Sequence, residues 1–439
     1  MKFRYYLILA VLSYWLGSAI IHHNHKDYFL TSDAEGYYMY LPAVFIYGTF
    51  ENYPTRTPAE YKFYPKTNKM ATRFTYGVAL MEAPFFFLAQ LNRAIHGFPT
   101  DNAYSNDISV ALLFAACFYV ALGLYFMDKI LRGYFHNLKT VYFTLTVLYV
   151  GTNLMFYAMR EPTMSHAFTF CLTAALLYYL PQFYHTQAAH PSQTAASIPI
   201  TLLVGFLLGL IALIRPTNIM FAPLAIFFNV YSVNDLKNRV QWFIKNLKIL
   251  WLIPLVGILL ALPQMYYWHY LSGKWIVNIY EVMHNVTFSW VTPQFYKIFF
   301  HPCNGFLLYT PLMAFAIGGV MWMAWKNVMN GRLILLILLV ITYAFASWPM
   351  WWFGHAFGYR SFIDYYPLLG VGMAFYINEV LKSRMQWFKY LNFLIFTFLI
   401  FVNFRLTIAP FYWQVEPDGS RIEDLYKVLN WVFDVSQWN

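Results

Sequence analysis

Tyr76-Gly-Val-Ala-Leu-Met-Glu-Ala-Pro-Phe-Phe-Phe-Leu-Ala-Gln-Leu-Asn-Arg-Ala-Ile95 is long enough to cross a bilayer, for which about 20 mostly apolar residues suffice, yet it carries Glu82, Pro84 and Gln90. Whether it crosses sets the orientation of everything downstream. If it does, Lys129, Arg132 and Lys139 fall outside and every later basic loop is inverted with them. If it lies along the outer interface as an amphipathic helix, one side of the membrane collects all the basic groups. These are Lys2 and Arg4; Lys129, Arg132 and Lys139; Lys237, Arg239, Lys245 and Lys248; Lys326 and Arg332; and Lys382, Arg384 and Lys389. The positive-inside rule makes that side cytoplasmic and selects the interfacial reading.

Working outward, the apolar runs predict spans near 5–22, 108–128, 140–158, 165–184, 199–214, 217–232, 247–268, 305–325, 333–348, 361–380 and 390–408. The expected fold class is therefore an all-α polytopic membrane protein with about 11 transmembrane helices, a single membrane domain over residues 1–439. Its N-terminus is inside and its C-terminus outside. A large first external loop, 23–107, holds the amphipathic helices, and a short external tail covers 409–439. The first segment has the charged start of a signal peptide but no small-x-small cleavage site before His22-His-Asn-His25, so it reads as a retained span. No internal repeat is evident, which removes the inverted-repeat signature of many secondary transporters.

Composition agrees with this reading. Hydrophobic residues make up 60% of the 439 and charged residues 11%, against roughly 45–50% and about 25% in soluble globular proteins. The net charge of +10 would hint at nucleic acid in a soluble protein. Here the cytoplasmic loops account for it, and no nucleic-acid partner is expected. Three cysteines make neither a disulfide framework nor a zinc site.

The polar chemistry gathers on the predicted outer face. Just beyond the first span comes Thr31-Ser-Asp-Ala-Glu-Gly-Tyr-Tyr-Met-Tyr-Leu-Pro42. Asp33 and Glu35, beside Tyr37 and Tyr38, suit general-base work on a hydroxyl or amine acceptor. The alternative is an N-cap, with Ser32 or Asp33 starting a helix over 34–47. Met159-Arg-Glu-Pro-Thr-Met-Ser-His166 puts Arg160, Glu161 and His166 on the same side; an Arg160–Glu161 pair is the plainer reading. Arg215, in Leu213-Ile-Arg-Pro-Thr-Asn218, is a phosphate-clamp candidate because guanidinium is always charged and offers a fork of donors. Snorkelling to the interface is its alternative.

Ser347-Trp-Pro-Met-Trp-Trp-Phe-Gly-His-Ala-Phe-Gly-Tyr-Arg-Ser-Phe-Ile-Asp364 reads largely as an aromatic belt. A belt does not require Gly354, Gly358, Arg360 and Asp364, however, and the rings of Trp351 and Trp352, with His355, offer stacking surfaces for a sugar. No Walker sequence, dinucleotide fingerprint or His-Glu-x-x-His occurs, so ATP hydrolysis and zinc proteolysis are without support.

With these motifs in this order the chain resembles the GT-C superfamily, the polytopic glycosyltransferases that use polyprenyl-phosphate-linked sugars. Within it the chain is most similar to the branch of protein O-mannosyltransferases and the lipid A aminoarabinose transferase, especially bacterial members. The likeness rests on Asp33 to Pro42, Pro162-Thr-Met-Ser-His166, Arg215-Pro-Thr-Asn218 and Phe357-Gly-Tyr-Arg360.

The resemblance implies an inverting transfer at the periplasmic face of the inner membrane, from undecaprenyl phosphate to a lipid, glycan or protein, by a monomer. Asp33 becomes the base, with Glu35 and Glu161 as further acidic candidates. Arg215, Arg360 and Arg160 become phosphate ligands, and Lys66 and Arg73 are alternatives for another donor contact. Tyr37, Tyr38, His166, Trp351, Trp352 and His355 become acceptor or sugar contacts. No obligatory metal or other cofactor is expected. Departures from the pattern are Ala34, which separates the two acids, and a Lys-Pro-Pro-like element reduced to Tyr64-Pro-Lys66 or Arg73-Phe-Thr-Tyr76. From the residues alone, a flippase for lipid-linked sugars is the alternative function.

Overall fold

The computed structural model describes residues 3–23, 30, 32–51, 54–56, 62–64, 67, 69–184, 196–354, 357–409, 415–418 and 420–434. Lys66 and His355 lie outside the described residues. The chain is a helical membrane protein. Four helices are long and apolar enough to cross a bilayer: α1 (Phe3–His23), α5 (Asn106–Tyr134), α12 (Leu252–Ser272) and α19 (Gln386–Ile408). The bundle's end bearing the 23–107 loop is called the outer end below.

In chain order, α2 (Asp33–Tyr38) and α3 (Tyr40–Phe45) follow α1. Strands β1 (Lys62–Phe63) and β2 (Met70–Ala71) form a small antiparallel hairpin, the one departure from all-α among the described residues. Helix α4 (Gly77–Ile95) leads to α5. The predicted span 140–158 breaks at 151–153 into α6 (Leu138–Val150) and α7 (Leu154–Met159), and α8 (Ser165–Phe183) and α9 (Ile198–Ile214) follow. The predicted span 217–232 is also shorter than expected. Proline-started segments give a 3-10 turn, Pro216–Phe221, and then α10 (Ala222–Phe227).

Helix α11 (Val233–Leu250) precedes α12, and α13 (Ile279–His284), α14 (Phe295–Phe300) and α15 (Phe306–Tyr309) are short helices. Then come α16 (Leu312–Lys326), α17 (Gly331–Ala346), a 3-10 turn at Arg360–Tyr365, α18 (Tyr366–Lys382), α19 and α20 (Ile422–Phe433).

Helix α4, expected as an interfacial helix, packs along α5. Tyr119 Oη donates to the Met81 carbonyl at 3.1 Å, Phe85 packs on Phe114, Phe118 and Tyr119, and Arg93 pairs with Asp107 at 2.7 Å. As α4 ascends in number α5 descends, so the two run antiparallel for about 18 Å at 1.5 Å per residue. The segment stands upright beside the outer half of α5. Its lower end stops against α9, where a Cβ on Gly77 would come within 2.8 Å of the Ile214 nitrogen. Its three adjacent phenylalanines divide their contacts: Phe85 packs on α5, Phe86 meets Tyr38 of the external loop, and Phe87, 44% exposed, meets Phe45.

Elsewhere close approach relies on small residues, as expected where lipid supplies no hydrophobic drive between helices. A Cβ on Gly319 of α16 would lie 2.0 Å from the Gly372 carbonyl oxygen of α18. Helix α8 is buried on nearly every face and forms the centre of the core. The external loop has its own apolar cluster, in which Tyr38, Met39, Leu41 and Phe86 meet Leu112, Tyr267 and Leu271. The hairpin is tied to the outer end of α12 by the Thr67 hydroxyl, which donates to the Leu271 carbonyl at 2.7 Å. That tie fixes the stretch delivering Arg73.

Candidate active site

Ser32 adopts φ 55° and ψ −132° and makes no side-chain capping bond to α2. The capping reading therefore fails, while the helix expected over 34–47 is present as α2 and α3, joined through Met39, which is itself helical (φ −50°, ψ −28°). The Asp33 carboxylate instead turns to two cations: Arg73 binds Oδ1 and the Arg360 Nη2 donates to Oδ2 at 2.6 Å. Its side chain is 14% exposed, at the mouth of the cluster. Burial alone would raise the Asp33 pKa, but Arg360 and then Arg73 outweigh it and hold the carboxyl below its ordinary value.

Several features aim Arg360 inward. Gly358, at φ 66°, turns the chain against Tyr309 and Asn153, where a Cβ would meet atoms at 3.1–3.2 Å. The Asn153 amide donates to the Phe357 carbonyl at 2.9 Å, and the Met164 sulfur lies 3.5 Å from Arg360 Nη1.

A second cluster adjoins the first. Asp364 is fully buried and accepts from Arg215 Nη1 at 3.2 Å, from the Asn218 amide at 2.9 Å and from His166 Nδ1 at 3.0 Å. Arg215 also donates to the Ser361 hydroxyl at 3.1 Å and lies over the Phe353 ring. The break between α9 and the following 3-10 turn leaves Arg215 extended (φ −146°, ψ 113°), which lets it point into this cluster.

Tyr37 joins the two clusters. Its ring stacks on Phe74, its hydroxyl donates to Ser165 at 3.4 Å, and its phenol feels the charges of Arg215, Asp33 and Arg360. Tyr280 feels those of Arg73, Asp33 and Arg215, and burial pushes its phenol up. The sequence reading missed Tyr280 and gave Asp364 no role. For Asp364 the signal was a carboxylate four residues after Arg360; for Tyr280 nothing in its local sequence set it apart.

Other predicted residues go elsewhere. Glu35 is fully buried and bound by Tyr104 and, at 2.8 Å, by the Arg56 amide, so it braces the loop on another face of α2 from Asp33. Residues two apart on a helix are about 200° apart, which accounts for the split. Tyr38 donates to the Ala103 carbonyl at 2.7 Å inside the loop core and offers no surface to a sugar.

Arg160 is buried with its Nη1 on the Thr407 and Ala409 carbonyls at 3.1 and 2.7 Å, so it pegs the end of α19. Trp351 is buried against His301 and near the Lys297 ammonium, which closes its faces, and Trp352 stands edge-on to it. Glu161 is half-buried near Tyr157, which feels both its charge and that of Arg360. Among the described residues no group of three His, Cys, Asp or Glu side chains could hold a metal ion.

No protein-family model matches the chain, and no curated protein matches it by sequence. Solved structures do match. The oligosaccharyltransferase of Archaeoglobus fulgidus tethered with an acceptor peptide superposes with a TM-score of 0.53 at 12% identity, over 93% of this chain and 55% of that one. The same archaeal enzyme in complex with an inhibitory peptide and a dolichol-phosphate gives 0.50 at 13%, over 97% and 60%. Its apo form gives 0.50 at 13%, over 98% and 58%. The chain thus spans less than two thirds of the length of these structures. Along nearly all of its own length it has their fold, the GT-C fold.

Proposed function

We propose that the chain is an inverting glycosyltransferase of the bacterial inner membrane, moving a sugar from a polyprenyl-phosphate donor to a periplasmic lipid, glycan or protein. The observation that carries this is one carboxylate, Asp33, held between Arg73 and Arg360 at the outer end of the bundle, with Arg215 and two tyrosines alongside. The shared fold supports it, and one of the superposed structures holds a dolichol-phosphate, a lipid phosphate of the proposed donor class.

In this reading the donor phosphate takes the guanidinium forks that Asp33 occupies. The freed carboxylate accepts the acceptor's proton as the acceptor oxygen or nitrogen forms its bond to the anomeric carbon. The bond from that carbon to the phosphate oxygen breaks, and the oxygen leaves with the electron pair. Arg73, Arg360 and Arg215 take up the growing charge, where preorganised donors contribute most. These cations supply the positive charge the step needs, so the proposal includes no obligatory metal. Tyr37, Tyr280 and His166 line the site as sugar or acceptor contacts. The low Asp33 pKa means that its proton passes to water once the arginines return.

The test compares envelope lipids, glycans and proteins by mass spectrometry in cells with the wild-type chain, Asp33→Asn or no chain. A sugar mass increment confined to the wild type is expected and identifies the acceptor class. Equal products from wild type and Asp33→Asn would remove Asp33 as base. If, in addition, lipid-linked sugar were stranded on one leaflet only without the chain, the function would be that of a flippase.

A further inference from the structure

Helix α11 lies far from the candidate site, at the opposite end of the bundle. Arg239 donates to the Ile226 and Phe228 carbonyls at 3.0 and 2.7 Å and covers the Tyr184 ring. Trp242 packs edge-on against Phe183 and Tyr184, and the Asn246 oxygen accepts from the Ala196 amide at 2.6 Å. The contacted residues are the inner ends of α8 and α10 and the start of α9, so α11 runs across the bundle's inner end. It opens with a capping box: Ser232 caps Asp235, which bonds back to the Ser232 amide.

The residues left over fall into two faces. Val233, Leu236, Val240, Ile244, Leu247 and Trp251 recur every three or four positions and form one continuous stripe that the bundle does not cover. Val233 and Ile244 are 72% and 71% exposed. At 100° per residue this stripe lies about 140° round the helix from Trp242 and Asn246. The third face carries exposed Lys237, Gln241, Lys245 and Lys248. An apolar stripe flanked by lysines, on the helix that leads directly into the membrane-crossing α12, fits a leaflet boundary on two counts. The stripe continues the lipid-facing surface of α12, and the lysine charge complements anionic headgroups.

We infer that α11 is a membrane-surface helix whose apolar stripe enters the acyl region of the inner leaflet while Lys237 and Lys248 engage anionic lipid headgroups. It thereby anchors the start of α12 at a fixed depth. This inference is independent of the proposed transferase chemistry.

The test uses the full chain, reconstituted in vesicles of phosphatidylcholine with or without phosphatidylglycerol. A spin label is placed at Ile244→Cys or Gln241→Cys, and the unsubstituted chain serves as background because Cys117, Cys171 and Cys303 are buried. At Ile244 we expect collision with oxygen to be several-fold more frequent, and collision with a water-soluble nickel chelate several-fold less frequent, than at Gln241. The Ile244 label should sit deeper when phosphatidylglycerol is present, and Lys237→Glu with Lys248→Glu should abolish that lipid dependence. Equal nickel accessibility at the two positions would overturn the inference. So would protection of Ile244 from both reagents, which would mean that protein covers the stripe, or a depth that ignores phosphatidylglycerol.

Discussion

Asp33 Oδ2 and Arg360 Nη2 lie 2.6 Å apart although 327 residues separate them in the chain. Only the packing of the first external loop onto the turn ahead of α18 brings them together. In the proposed chemistry Arg360 both holds Asp33 at rest and binds the leaving phosphate, so Arg360→Gln should lower transfer by about 10²–10³-fold, the loss seen when one preorganised donor is removed. Arg360→Lys keeps the charge but loses the fork and should recover only a minor part. Initial rates with purified protein and a synthetic polyprenyl-phosphate sugar decide it, and wild-type rates for Arg360→Gln would remove the residue from the site.

The same pairing predicts a pH response. The Asp33 pKa lies lower in the folded protein than the value of about 3.9 expected in the unfolded chain. Its stabilising contribution is therefore complete at neutral pH and is lost as pH falls through the folded pKa. The difference in melting temperature between wild type and Asp33→Asn should stay constant from about pH 7 to about pH 5 and shrink below about pH 4. A gap that closes between pH 7 and 5 would show that the arginines do not hold Asp33 ionised.

Apolar run length placed most of the helices because a bilayer demands apolar length, a simple code. It left open how Tyr76–Ile95 packs, because that code asks whether a segment crosses or lies flat and not which helix it lies against. Local reading also favoured Ser32 or Asp33 as a helix cap, a competition decided by Arg73 and Arg360, which no window around residue 33 contains. Arg160 looked like Arg215 by its position at a helix end. What separates them is what each guanidinium meets: backbone carbonyls of α19 in one case and Asp364 in the other.

Asp364 carries the next prediction. One oxygen serves His166 and the other serves Arg215 and Asn218; Asp364, His166 and Asn218 are buried and the Arg215 side chain is 15% exposed. Replacing it by Asn keeps the shape but strands a buried cation, which costs about 3–5 kcal/mol. Asp364→Asn should therefore melt well below wild type in detergent and raise the KM for donor, because Arg215 loses the partner that aims it. A variant with unchanged melting temperature would mean that water replaces the carboxylate.

Gly319 and Gly372 let α16 and α18 touch backbone to backbone, and α18 carries the turn that presents Arg360 and Asp364. A methyl at Gly319 has no room, because the nearest atom is a carbonyl oxygen, and the two helices must part. Gly319→Ala should cost about 1–3 kcal/mol through overpacking, whereas Gly318→Ala, with nothing within 4 Å of the added carbon, should be neutral. Thermal melts of the two adjacent variants make a controlled comparison, and equal stability would contradict the close crossing.

In the proposed chemistry Arg160 is a structural arginine and Arg360 a phosphate-binding one. The Arg160 Nη1 ties the two carbonyls at the end of α19 to the loop after α7, and both partners are buried. Arg160→Gln should cost about 1–3 kcal/mol, the penalty for leaving buried polar groups unpaired, and should loosen the approach to the C-terminal segment. Donor affinity should be unchanged, because Nη1 is held by the carbonyls at the end of α19. Measuring melting temperature and donor KM together gives the opposite pattern from Arg360→Gln, which should lose rate with far less change in stability than Asp364→Asn. If Arg160→Gln weakened donor binding at unchanged stability, the peg would have a second role in the site and the division between these arginines would fall.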